Sequence, residues 1–393
     1  MNLFSQNTPY HFWHCQIDFP YEKWQSAIDE ALPILEIDCE KGNIENILGA
    51  VLGEGQFGYE HWHLSSSKRL YYVLKPLLPR IFTKFLRRLY NFQSQKNFLL
   101  SWPIEKRYAD FLWQVMKNLI KLTGQDEIPF FHFWPAGYRF VLILTHDIET
   151  AEGQNYLRPV ADLEERFGFH SSFNFVPERY VLNNDLISEL SHRGFEIGLH
   201  GLKHDGKLFN SRDQFVRRAD RINHYLKQFN AVGFRAPLTH RHPEWMQSLE
   251  IEYDLSFFDT DPFEPISGGT MSLWPFQLGH FIELPYTLVQ DYTLIKILGE
   301  TTPKIWLDKV KFIKQYYGMV LLNTHPDYLK NAINWRVYSE FLEAMSVQRG
   351  CWNGLPREVA NWWRKRFDAI CIEDLPGGIQ GKIRLIDENL IIE

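Results

Sequence analysis

Two pairs of side chains in this sequence have the types and spacing to do chemistry on a polar bond. They are Asp147 and Glu149 in THDIE, and His200 and His204 in LHGLKHD. In extended chain, residues i and i+2 point to the same face, so both carboxylates can line one pocket. Two close carboxylates repel unless a cation or an arginine neutralises them, which suits one as a metal ligand and the other as a base. Two imidazoles with one carboxylate make a three-ligand set that leaves room for water and substrate on zinc or a similar divalent ion. Arg235 in GFRAPL and His325 in LLNTHPDY complete the set. A buried arginine needs a carboxylate partner such as Asp147, and a histidine titrating near neutrality suits protonation of a leaving amine. Asp205, directly after His204, is placed to orient a ligand. Plainer readings stand beside these. Asp147 and Glu149 could cap a helix, the histidine spacing arises by chance in a chain with 15 histidines, and single Arg and His residues are usually surface or packing groups.

The elements that must position these groups are short apolar runs. YRFVLIL, FEIGL, VGF and GMVLLN each end on one of the residues above. Side chains at the carboxyl ends of parallel strands converge on one mouth, so four separate motifs can share one pocket. Strands are expected near 138–145, 171–176, 195–199, 232–235, 253–258, 281–284 and 318–323, alternating with helices in DLISELSHRG, SRDQFVRRADRINHYLKQF and PKIWLDKVKFIKQYYG. This alternation predicts an α/β parallel sheet or barrel over 131–350, with the stretch from Asp259 to Phe281 as a long loop over the mouth. Residues 1–130 read as a mostly helical extension, and 351–393 as a helix entered through Pro356 followed by short strands packing on the barrel.

Composition narrows the function classes. With 393 residues, 45% of them apolar, the chain can fill a large core, and its net charge of −6 argues against nucleic acid as a partner. The four cysteines have no metal-ribbon spacing and are expected as free thiols. Neither a secretory signal nor an apolar run long enough to span a bilayer is present, which predicts a cytoplasmic protein. One local exception is basic. Between Glu60 and Glu105 there is no acidic residue, and RIFTKFLRRLYNF places Ile81, Phe82, Phe85, Leu86, Leu89 and Tyr90 on one helical face opposite Arg80, Lys84, Arg87 and Arg88. The stretch 64–96 therefore suits peripheral contact with an anionic membrane at its inner face, or a helix packed on the barrel with a solvated basic side.

Taken in order, the motifs resemble those of the polysaccharide deacetylase, or NodB-homology, family of carbohydrate esterases. THDIE resembles its first motif, HGLKH the second, RAP the third and Leu322 to His325 the fifth, over about 135–345. The resemblance implies a distorted (β/α) barrel with fewer than eight regular repeats and a divalent metal, commonly zinc. It implies Asp147 as general base, held by Arg235, with Glu149, His200 and His204 as metal ligands and His325 as general acid. Glu149 stands where the family's first motif has an aspartate. For the fourth motif, usually Asp and Trp together, Asp254 and Trp274 are the available residues and are expected as substrate contacts. The implied activity is hydrolysis of an N-acetyl group of a saccharide, from a polysaccharide or a lipid-linked glycan precursor. The alternatives are another amide hydrolase on the same scaffold and an inactive glycan-binding homologue.

Overall fold

The computed structural model describes residues 2–58, 61–63 and 95–393, so most of the basic stretch 64–96 lies outside the described residues. Two sheets organise the rest. The strands are β1 (Glu127–Phe131), β2 (Phe140–Ile148), β3 (Ser172–Phe175), β4 (Glu196–His200), β5 (Gly233–Arg235), β6 (Tyr253–Asp254), β7 (Phe276–Leu278), β8 (Phe281–Glu283), β9 (Met319–Thr324), β10 (Cys351–Asn353), β11 (Gln380–Ile386) and β12 (Asn389–Ile392). Nine of them form the main sheet, in the order β10-β2-β3-β4-β5-β6-β8-β7 with β9 on the other side of β2. All its pairings are parallel except β7–β8. All nine residues of β2 and all six of β9 are buried, as expected for strands covered on both faces, which explains their continuous Val, Ile and Leu runs.

The sheet curls into a distorted (β/α) half-barrel. On the far side from the β2–β9 ladder, Thr287 and Leu288 donate backbone hydrogen bonds to Leu321 O at 3.2 and 3.0 Å, drawing the chain after β8 onto β9. Helices between the strands cover the outside. The helix Arg212–Phe229 starts at Ser211, whose side chain accepts from Gln214 N, and stops at Asn230 in the left-handed conformation, φ 49°. The helix Pro356–Asp368 has its proline at the first position, where no N–H is needed.

All seven expected strands form, with shifted ends. β2 runs on to Ile148 because its last four residues pair with β3, so Asp147 lies within the strand rather than after it. β6 is only two residues long, since the chain leaves the ladder at Leu255, whose carbonyl is taken by Arg235 Nε at 2.9 Å. The expected loop 259–281 contains β7, which turns at Gly279 into β8. Gly279 has φ +60°, and a Cβ there would stand 2.0 Å from Gln247 Oε1, so the turn requires glycine. β1 also lay hidden in the helical extension. It pairs with β11, and β11 with β12, in a three-stranded antiparallel sheet that joins 127–131 to the C-terminal segment.

A buried ion pair ties the extension to the loops over the mouth. Arg241 meets Glu54 through two hydrogen bonds of 2.9 and 2.6 Å, with both side chains fully enclosed. Burial alone would raise the Glu54 carboxyl, but Arg241 and His61 outweigh it and hold it at about 2, against an ordinary 4.5. A depressed carboxyl contributes stability above its unfolded pKa and loses it as pH falls toward its folded pKa. The shift corresponds to about 3 kcal/mol, present above pH 4.5 and lost between there and pH 2. We therefore expect Glu54→Gln to destabilise the protein most at neutral pH, with the deficit shrinking toward pH 2. Urea unfolding of both proteins across that range measures it, and a pH-independent deficit contradicts the assignment.

Candidate active site

The parallel register brings the chemistry-bearing residues to one end of the sheet. Asp147 aligns with Asn174 on β3, and Asn174 with Gly198 on β4, while His200 aligns with Arg235 on β5. Glu149 follows β2 directly, and His325 follows β9. His204 is reached through a tight loop in which Gly201 has φ +65° and His204 itself φ 51°. A Cβ at Gly201 would come within 2.3 Å of Pro237, so the glycine allows the two histidines to turn toward each other.

Glu149, His200 and His204 each offer a ligand atom, all within 4.8 Å of one another. Glu149 Oε1 is 2.9 Å from His204 Nε2 and 3.8 Å from His200 Nε2. Ligand atoms around a tetrahedral zinc with bonds near 2.1 Å stand about 3.4 Å apart, so the spacing suits such an ion. His200 Nδ1 lies 3.2 Å from the carbonyl of Arg235, which fixes the proton on that nitrogen and leaves the Nε2 lone pair free. Both Nε2 atoms are buried without a hydrogen bond. His204 Nε2 is at hydrogen-bond distance from Glu149 but misaligned for one. Buried, unbonded imidazole nitrogens facing a carboxylate are the donor set a divalent cation requires. The other carboxylate oxygen, Oε2, faces Arg179 Nη1 at 3.8 Å, so the longer Glu149 side chain is steadied from the solvent side.

Asp147 stands beside this triad and is held differently. It accepts from Arg235 Nη1 at 3.2 Å, Asn174 Nδ2 at 3.2 Å and Asn323 Nδ2 at 2.8 Å. Burial alone would raise its carboxyl, but His200 and Arg235 outweigh that and hold it well below the usual carboxylate range, so it is ionised at neutral pH. Arg235 also donates to Leu255 O and Thr145 Oγ1, both at 2.9 Å, so its guanidinium is immobilised.

His325 has a partner the sequence did not disclose. Asp291 accepts from His325 N at 2.8 Å, and its other oxygen lies 2.7 Å from His325 Nδ1. Burial lowers the imidazole, but Asp291, with Glu149 and Asp147, more than reverses this and raises it to about 10. It is therefore charged at neutral pH, with Nε2 3.7 Å from Glu149 Oε1.

Three expected residues stand elsewhere. Trp274 is packed against Phe12 and Trp113 and donates its indole N–H to Tyr317 O at 3.2 Å, two residues before β9 begins and so at the opposite end of the sheet. Asp254 is enclosed next to Glu283, its register partner on β8, and accepts from Ser256 N and Oγ. Asp205 pairs with both terminal nitrogens of Arg218 at 2.7 Å and so does not orient His204. Asn174, Asn323 and Asp291 are the residues missed. For the two asparagines the signal was a polar side chain inside an otherwise apolar run, in FNF and LLNT, whereas Asp291 in VQD had none.

No family model matches the chain, and no curated protein matches it. Solved structures of similar fold include a polysaccharide deacetylase described as putative from Mycobacterium smegmatis, at 16% identity and TM-score 0.48, covering 59% of this chain and 92% of that one. Another is a probable polysaccharide deacetylase from Pseudomonas aeruginosa PAO1, at 14% identity and TM-score 0.49, covering 60% and 94%. A third is Puue allantoinase, at 15% identity and TM-score 0.47, covering 59% and 93%.

Proposed function

We propose that this chain is a metal-dependent hydrolase that removes an N-acetyl group from a saccharide. The observation that carries this reading is the convergence, at one end of the barrel, of a His-His-Glu ligand set, an ionised aspartate and a charged histidine. Glu149, His200 and His204 would hold the ion. A divalent cation such as zinc would supply Lewis acidity there, toward the amide carbonyl and the attacking water. Asp147, kept ionised by Arg235 and fixed by Asn174 and Asn323, takes the proton from that water. His325, kept protonated by Asp291, delivers a proton to the departing amine, so that acetate and a free amino sugar result. The Tyr328 ring, 5.0 Å from that of His325, offers a flat apolar face beside the leaving group, of the kind that packs on sugar rings.

The stretch 64–96 belongs to the same reading. Its flanking residues lie on the mouth side: Trp62 is 5.6 Å from Phe257 and Trp102 is 5.1 Å from Phe263, in the loop after β6. Contact of this basic stretch with an anionic membrane would bring the mouth toward a lipid-linked saccharide. Among the described residues no helix is long and apolar enough to cross a membrane.

The test is release of acetate from N-acetylhexosamine oligomers by protein supplied with zinc, compared with hydrolysis of cyclic and linear non-sugar amides. Acetate release that a chelator stops and zinc restores is the expected result. Hydrolysis of non-sugar amides without acetate release replaces the saccharide assignment with another carbon–nitrogen hydrolysis.

A further inference from the structure

At the opposite end of the barrel from the active site, an arginine is buried with no acid among the described residues to balance it. Arg366, on the helix Pro356–Asp368, is 1% exposed. Its Nε donates to the carbonyls of Phe131 and His132 at 3.2 and 3.1 Å, and its Nη2 to those of Phe12 and Phe131 at 3.0 and 2.9 Å. Its guanidinium also lies 5.2 Å from the Phe133 ring and 5.3 Å from Trp363. Carbonyl dipoles and ring faces solvate a cation, but they carry no net charge to cancel it. Among the described residues, Nη1 makes no hydrogen bond.

The titratable neighbours supply no anion. Burial pushes the Cys15 thiol up to about 12, so it stays protonated, and burial holds His14 and His132 at about 4, so they stay neutral. Burial brings Arg366 itself down to about 9, which leaves it charged at neutral pH.

The arginine borders a small recess of about 20 Å³, walled by Phe12, Trp274, Phe276 and Trp363 and lined also by Asn7, His11 and Ser272. Tyr108 lines it too; among the described residues its hydroxyl has no acceptor, and burial raises its pKa so that it remains an O–H donor. No acidic residue among those described lines this space. A cationic fork and a hydroxyl donor face it, and its size suits a single small ion.

We propose that this recess, lined by both Arg366 and Tyr108, binds a single halide ion. The anion would neutralise the buried guanidinium where the N-terminal helix Pro9–Trp13 and the loop carrying Trp274 meet the C-terminal helix. It would therefore stabilise the joint between the two ends of the chain. The site is independent of the hydrolytic reading, since none of its residues touches Glu149, Asp147 or the histidines.

The experiment is thermal unfolding of the full chain titrated with sodium acetate and, separately, sodium chloride, at ionic strength held constant with a bulky sulfonate buffer. A saturable rise in Tm is expected with chloride and none with acetate, which is too large for the space. Tyr108→Phe keeps the ring and removes one hydrogen bond to a charged group, so half-saturation should move about tenfold higher. Arg366→Met should abolish the response; should that variant not fold, Tyr108→Phe alone decides. No saturable rise in the wild type with chloride overturns the proposal, as does an unchanged midpoint in Tyr108→Phe.

Discussion

Asp147→Asn is expected to lower turnover by about 10²- to 10⁴-fold, the usual contribution of a positioned general base, while metal binding persists. Asparagine has nearly the same shape, so the bonds from Asn174, Asn323 and Arg235 can be partly kept, but an amide accepts no proton. The variant should also be less stable. Removing the charge leaves Arg235 buried beside a neutral partner, and breaking a buried pair in this way costs about 3–5 kcal/mol. Activity is therefore compared at a temperature where thermal unfolding shows both proteins folded. Turnover within tenfold of wild type on the same substrate removes Asp147 as the base.

The double variant His200→Ala, His204→Ala acts on the other half of the site and should have a comparable effect for a different reason. It removes two of three ligand atoms and leaves Glu149 alone. A single carboxylate holds a divalent ion only weakly in competition with water, so activity should fall to background and adding excess metal should not restore it. The pair of variants separates the roles: one keeps the ion and loses the base, the other keeps the base and loses the ion.

Much of this arrangement was legible because the chemistry sits at the ends of fully buried parallel strands. β2, β4, β5 and β9 are apolar runs stopped by a polar residue, and in a parallel sheet such stops share one edge. Strands of other kinds escaped notice. β7 and β10 are three residues long, too short for any period to emerge, and β1 reads EIPFF, with a proline that lowers its strand signal. Asp291 was hidden because 34 residues separate it from His325, and the two meet through the chain that folds from β8 back onto β9. Trp274, expected as a substrate contact through the family's fourth motif, packs instead on Phe12 and Trp113, which come from the helical extension and hold it at the far end. Asp254, the last residue of β6, is enclosed beside Glu283, its register partner on β8.

The most direct check is equilibrium dialysis of the metal-free chain and of the His200→Ala, His204→Ala variant against zinc, with bound metal counted per chain. One ion per wild-type chain and none per variant chain is the predicted result. Equal stoichiometry in the two proteins, or no stoichiometric binding by the wild type, contradicts a metal centre built from Glu149, His200 and His204.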